Sequence, residues 1–132
     1  MLSYSSHTDT FARDSLPPLE SWPEFLLDGF DYPDFLNVGT ELTDAMVEKG
    51  FGDNTALIGN GRRRTYKELT DWTNRIAHTL VDDMGVQPGN RLLIRSANNP
   101  AMVACWLAAT KVGAVVVNSM PMLRAGELIK YV

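Results

Sequence analysis

Between Arg91 and Val117 the apolar and polar positions fall into three blocks. Leu92, Leu93 and Ile94 form a short apolar run, Ser96-Ala97-Asn98-Asn99-Pro100 breaks it, and a long uncharged segment then leads to Val115-Val116-Val117. Two short apolar runs flanking a segment of helical length predict a strand, a crossover helix and a second strand, the βαβ unit of a parallel sheet. Asn99 is placed to cap the helix, Pro100 stands in the first turn where its missing N–H costs nothing, and Gly113 supplies the left-handed residue that ends it. Ala101 to Ala109 carries no charge, so another layer is expected to cover this helix.

The pattern upstream is of a different kind. Leu69, Trp72, Ile76, Leu80 and Met84 recur at intervals of three and four, with Lys67, Asp71, Asn74, Arg75, Asp82 and Asp83 on the other faces. Thr65-Tyr66-Lys67-Glu68 fits a capping box at the start of this amphipathic helix, and Gly85 ends it. Before it, Thr55 to Ile58 and Arg62 to Thr65 read as two strands joined by a hairpin turn at Gly59-Asn60-Gly61. A phosphate-loop reading of that Gly-x-Gly fails for want of a third glycine and a helix start. Arg62-Arg63-Arg64 reads as a charged edge strand, which discourages sheet-to-sheet pairing. Earlier still, Asn37 caps a segment in which Val38, Leu42, Ala45 and Met46 recur at helical spacing up to Gly50, predicting one helix. At the other end, Ala125 to Val132 reads as the beginning of a helix with no stop signal.

Residues 1–36 follow neither period. Pro17, Pro18, Pro23 and Pro33 interrupt any regular pattern, while Phe11, Trp22, Phe25, Phe30, Tyr32 and Phe35 are too many aromatics for a disordered tail. An extended arm is expected, lying along a larger body from about Phe11 onward, with little to anchor Met1 to Thr10. The division is therefore an arm over 1–36 and a partial α/β subdomain over 37–132 that breaks off within a helix. Two strands alone do not make a buried parallel sheet, and this too reads as the amino-terminal piece of a longer protein.

Composition narrows the function classes. With 132 residues, 45% hydrophobic and 21% charged, the chain can bury a core. A formal net charge of −4 argues against a nucleic-acid-binding body. Ser96 to Thr110, the longest uncharged stretch, is too short and too polar to span a bilayer. The single cysteine, Cys105, lies inside the apolar helix and reads as a small buried hydrophobe. With no internal disulfide possible and no leader-like amino end, a cytoplasmic protein is expected. His78 has only Asn74 and Asp82 at i−4 and i+4, which is an ion-pair spacing and no metal site.

The ordered set Arg64-Thr65-Tyr66-Lys67-Glu68-Leu69, Asn74-Arg75-Ile76-Ala77, Gly85-Val86-Gln87-Pro88-Gly89-Asn90-Arg91, Asn98-Asn99-Pro100, Leu107 to Val115 and Glu127-Leu128 resembles the amino-terminal part of the adenylate-forming (AMP-binding) acyl-CoA synthetases. The resemblance covers Asn37 to Val132. Asp9-Thr10-Phe11-Ala12-Arg13-Asp14, Trp22-Pro23-Glu24-Phe25 and Met120 to Ala125 look like the aryl-CoA ligase branch, nearest to 2-aminobenzoate-CoA ligases and then benzoate-CoA ligases. The resemblance implies an α/β fold, the amino-terminal part of the large domain of such an enzyme. It also implies a reaction in which a small aromatic carboxylate is joined to ATP, with magnesium assisting, and the acyl adenylate is then captured by CoA. The loop ending in Pro-Lys, the adenine-contacting motif and the lysine of a mobile carboxyl-terminal domain, which carry this chemistry in the family, are absent from these 132 residues. The chain by itself is therefore expected to be inactive, to carry no catalytic residue and no metal site, and to bind ATP, CoA and magnesium only as part of a complete enzyme.

One site residue is carried over. Arg124 lies where some members of the family place a basic side chain near the CoA nucleotide phosphate, with Met122 as the alternative family position and a solvated surface arginine as the plain structural reading. Asn98 and Asn99 stand at the carboxyl end of a strand, where open α/β sheets place ligands, although helix capping also accounts for them. Two other classes remain in view. A free-standing docking module would use the aromatic arm and the apolar helix face to bind a protein partner, and exposed faces of this kind also predict self-association. A dinucleotide binder is disfavoured because no Gly-x-Gly-x-x-Gly follows the first strand.

Overall fold

The computed structural model describes residues 5–131. Its centre is the predicted βαβ unit: β3 (Arg91–Arg95) and β4 (Val115–Ser119) pair in parallel, joined by α5 (Pro100–Lys111). The register sets Leu92 beside Val116 and Ile94 beside Asn118. Asn99 accepts the Met102 N–H at 3.0 Å, and Gly113 takes φ 78° behind the helix, so both ends close as their residue types require.

A hairpin and a helix that precede this unit pack toward α5. β1 (Thr55–Gly59) and β2 (Arg62–Thr65) form the antiparallel hairpin, with a bulge between Thr55 and Leu57. Its turn holds Asn60 and Gly61 at φ 52° and 71°, the left-handed pair that a tight two-residue hairpin demands. Thr65 then caps α4 (Tyr66–His78): its hydroxyl accepts the Glu68 N–H at 3.2 Å while the Glu68 carboxylate accepts the Thr65 N–H at 3.0 Å. The helix continues as a wider π turn over Thr79–Asp83. Leu69, Ala104 and Leu107 are buried with Leu57, Trp72 and Trp106 packed on them. Farther along, Leu80, Ala108, Ala109 and Ala114 form a second cluster with Ile76, Leu92 and Val116. The core thus runs along α5, which explains its lack of charge.

The single helix expected from Asn37 to Gly50 is broken. It forms as α2 (Val38–Glu41), α3 (Asp44–Met46) and a last wide turn in which Gly50 is left-handed at φ 87°. The break falls at Thr43, whose buried hydroxyl sits 2.5 Å from the Gly39 carbonyl oxygen and 2.9 Å from the Asp44 carboxylate. Packing dictates it: a Cβ at Gly39 would lie 2.6 Å from the Leu107 carbonyl oxygen and 2.7 Å from Lys111 N, so α2 meets α5 backbone to backbone. At the other end α6 spans Ala125–Leu128, and the backbone tightens into i−3 bonds through Tyr131.

The arm also departs from expectation at its start. Thr8 and Asp9 both donate their N–H to the Pro88 carbonyl at 3.0 Å, and the Asp9 carboxylate accepts from Asn90 Nδ2 at 2.9 Å and pairs with Arg91. The Arg91 guanidinium lies 4.7 Å over the Phe11 ring. Of the stretch expected to lack an anchor, Thr8 and Asp9 are therefore tied down, by partners some 80 residues away that no local pattern reveals. Met1 to Tyr4 lie outside the described residues. Beyond α1 (Phe11–Asp14) and a 3₁₀ turn at Leu19–Ser21, the arm makes one more turn, where Phe30 donates to the Leu27 carbonyl at 2.9 Å with Gly29 at φ 86°, and Phe11, Phe25, Phe30, Tyr32 and Phe35 are exposed while Trp22 is half-buried and donates to the Pro17 carbonyl.

Candidate functional site

At the carboxyl end of the parallel strands, β3 and β4 stop together while α5 begins between them. Arg95, the last residue of β3, donates to the carbonyls of Pro121 and Leu123, the latter at 2.8 Å, and so staples the segment after β4 across the strand ends. Beneath that staple lies a cavity of 440 Å³ lined by Ser96, Asn98, Met102, Asn118, Ser119 and Pro121, among others. Such a crevice, outside the carboxyl ends of parallel strands, is where open α/β sheets place ligands. The Ser119 hydroxyl is buried there, at 9% exposure, without a hydrogen-bond partner among the described residues. A buried hydroxyl left unpaired costs free energy that a bound polar group would recover.

The two asparagines divide their labour. Asn99 is used by the helix: its amide oxygen takes the Met102 N–H and its Nδ2 donates to the Ser96 hydroxyl at 3.3 Å. Asn98 lines the cavity. Ser96 and Ser119, which the sequence did not single out, join it, and the only signal for them was position at a strand end. A second cavity, of 430 Å³, shares Met102 and Asn118 as its wall and is otherwise apolar, with Leu57, Leu69, Val103 and Trp106 in its lining.

Arg124 stands on the stapled segment, three residues past Pro121. Its backbone N–H donates to the Glu127 carboxylate at 2.9 Å, which starts α6, and its exposed guanidinium makes no ion pair among the described residues. It does not line the cavity, and neither does Met122, which is also exposed. The structure thus brings Asn98, Ser96 and Ser119 together around the cavity and leaves Arg124 out of its lining.

The remaining candidates are structural. Gly59-Asn60-Gly61 is the hairpin turn. His78 Nδ1 lies 3.2 Å from the Asp82 carboxylate on an exposed face, and no group of three His, Cys, Asp or Glu side chains capable of holding a metal occurs among the described residues. Burial pushes the Cys105 thiol up from its ordinary pKa, the direction that weakens a nucleophile.

Comparison with known sequences fixes the family. The model of the AMP-binding enzyme family matches residues 45–132. The chain belongs to the AMP-binding enzymes. Among its relatives in that family, the 3-hydroxybenzoate--CoA ligase of Aromatoleum sp. (strain CIB) is 34% identical over 82 residues, which is 62% of this chain and 16% of the relative. The acetyl-coenzyme A synthetase of Streptomyces avermitilis is 34% identical over 105 residues, 76% of this chain and 15% of that enzyme. The chain therefore spans a small part of the length of the AMP-binding relatives it matches.

Solved structures agree on the fold. The Klebsiella oxytoca NpsA N-terminal subdomain in complex with 3-hydroxyanthranilyl-AMSN superposes with a TM-score of 0.61 at 26% identity, covering 68% of this chain and 22% of that one. The anthranilate CoA ligase AuaEII in complex with anthranoyl-AMP gives a TM-score of 0.68 over 76% of this chain and 19% of that chain; at 19% identity it speaks to fold alone. The hairpin, the βαβ unit and the flanking helices are those of the amino-terminal subdomain of AMP-binding enzymes. No helix among the described residues is long and apolar enough to cross a membrane.

Proposed function

We propose that this chain is the amino-terminal part of an ATP-dependent aryl-CoA ligase, which adenylates a small aromatic carboxylate such as 2-aminobenzoate or benzoate and passes the acyl group to CoA. The match of the AMP-binding family over residues 45–132 carries this reading, and the hydroxybenzoate ligase among its relatives supports the aromatic substrate. Within these residues the contribution is scaffold. The stapled strand ends hold a cavity with an unpaired hydroxyl, and Arg124 offers a cation for the nucleotide phosphate of CoA. ATP, CoA and magnesium belong to the complete enzyme: ATP supplies the leaving group that activates the carboxylate, and these residues by themselves complete no catalytic set. A cytoplasmic setting, where ATP and CoA are at hand, accompanies this reading.

The test is ATP–pyrophosphate exchange with 2-aminobenzoate and benzoate, run on this chain and on the product of the complete reading frame. Exchange by the complete product and none by the 132-residue chain is expected. In the complete product, Arg124→Ala should raise the KM for CoA by roughly fivefold, the worth of one exposed charge-assisted contact of about 1 kcal/mol, and leave the CoA-independent exchange unchanged. A complete product inactive with a broad panel of carboxylates, or a reading frame ending at Val132, would overturn the ligase reading in favour of a docking module.

A further inference from the structure

Past Ser119 the chain leaves the sheet. The hydrogen bonds that residues 120–131 make with one another join positions three or four apart, as where the Leu123 N–H donates to the Met120 carbonyl at 3.2 Å. Two further bonds are of another kind, and Arg95 gives both. The register sets Arg95 beside Ser119 at the end of the sheet, and its side chain reaches on past the strand to the carbonyls of Pro121 and Leu123, 26 and 28 residues later. Both bonds leave from the same terminal nitrogen of the guanidinium, whose two N–H groups diverge within one plane. Among the described residues Arg95 makes no ion pair, so no carboxylate draws it away from these carbonyls.

The Leu123 carbonyl and the Arg124 N–H belong to one planar peptide group. Arg95 holds its oxygen at 2.8 Å, and the Glu127 carboxylate holds its N–H at 2.9 Å. A peptide gripped at both edges sets the direction in which the chain enters Arg124, which starts α6 from an extended backbone at φ −99° and ψ 173°. We infer that Arg95 is the positioning residue of Arg124: in the ligase proposed above, on which this role rests, it presents the Arg124 guanidinium to the nucleotide phosphate of CoA without touching CoA itself. Donor and acceptors all lie within this chain, so the grip needs nothing from the residues that complete the enzyme. The residue type matters, because a lysine would offer these two carbonyls a freely turning ammonium in place of a fixed fork.

The product of the complete reading frame tests this through Arg95→Met, which keeps an apolar stem and removes the guanidinium. Its KM for CoA should rise roughly three- to fivefold, no further than in Arg124→Ala, while its KM for ATP moves by less than about twofold. The double variant, Arg95→Met with Arg124→Ala, should show the KM for CoA of Arg124→Ala alone, because one residue acts through the other. In hydrogen exchange, the amides of residues 123–128 should exchange roughly fivefold faster in Arg95→Met, with those of α4 and α5 unchanged as the sign that the variant is folded. A rise in KM that Arg124→Ala does not share, or effects that add in the double variant, would make Arg95 act on CoA by a route of its own and overturn the inference. Unaltered exchange at residues 123–128 would overturn it as well. A product without ATP–pyrophosphate exchange would overturn the ligase reading and the CoA role together, whereas an active product whose KM for CoA ignores Arg95→Met would overturn the role of Arg95 alone.

Discussion

Lys111 shows how much of this structure is set by single side chains. At 15% side-chain exposure its ammonium pairs with Asp44 and donates to Asn74 at 2.7 Å, while its backbone carbonyl takes the Asn37 amide at 2.8 Å. One residue therefore ties α2, α3 and α4 to the end of α5. Burial raises the pKa of Asp44, but the bonds from Lys111 and Thr43 outweigh it and leave the carboxyl below its ordinary value. A carboxyl depressed in the folded state adds stability that is present above its unfolded pKa and lost as pH falls through the folded one. Lys111→Met should cost about 1–2 kcal/mol in urea unfolding at neutral pH, after allowance for the partly exposed partner. The same variant should show a shallower loss of stability below pH ~4, since Asp44 would no longer be held down. A variant as stable as the parent, with an unchanged acid limb, would remove Lys111 from this role. Ser119 is the counterexample among single residues: nothing in its side-chain type marked it, because what makes it notable is burial without a partner, and burial is a property of the packed strand ends.

Among the elements, those whose signal is local were legible. The hairpin turn, the capping box at Thr65 and the cap and stop of α5 each rest on residues within a few positions of one another, and each forms as its residue types require. The break between α2 and α3 was not legible. It depends on Gly39 meeting the backbone of α5, some 70 residues on, and a helical period carries no record of so close an approach. The docked start of the arm is the same kind of case. The Asp9 carboxyl is held below its ordinary pKa by the Phe11 N–H first, then by Asn90 and Arg91, and the chain folds back so closely that a Cβ at Gly89 would lie 2.0 Å from the Asp9 carbonyl oxygen. Asp9→Asn removes the ion pair and should speed hydrogen exchange of the amides of residues 8 and 9 roughly tenfold at neutral pH, with α4 and α5 amides unchanged. Unaltered protection at residues 8 and 9 would show that the Pro88 carbonyl anchors the arm without Asp9.

For the whole molecule, the fold was legible further than the site. An α/β unit with its hairpin and helices could be read from periodicity and caps, and the ordered motifs pointed to the adenylate-forming enzymes, to which the matched family model assigns it. The site was legible only as a place, the carboxyl end of β3. Sequence reasoning named Asn98, Asn99 and Arg124; folding sends Asn99 to the helix cap, gives Asn98 a share in the cavity and leaves Arg124 out of its lining. The chain spans only 16% of its hydroxybenzoate ligase relative. The most direct measurement is therefore the product analysis of the complete reading frame, incubated with ATP, magnesium, 2-aminobenzoate and CoA. An AMP-forming aryl-CoA ligase should release one AMP for each aryl-CoA thioester formed, and without CoA it should retain the aryl adenylate. ADP in place of AMP, or AMP with no thioester from any aromatic acid supplied, would contradict that assignment.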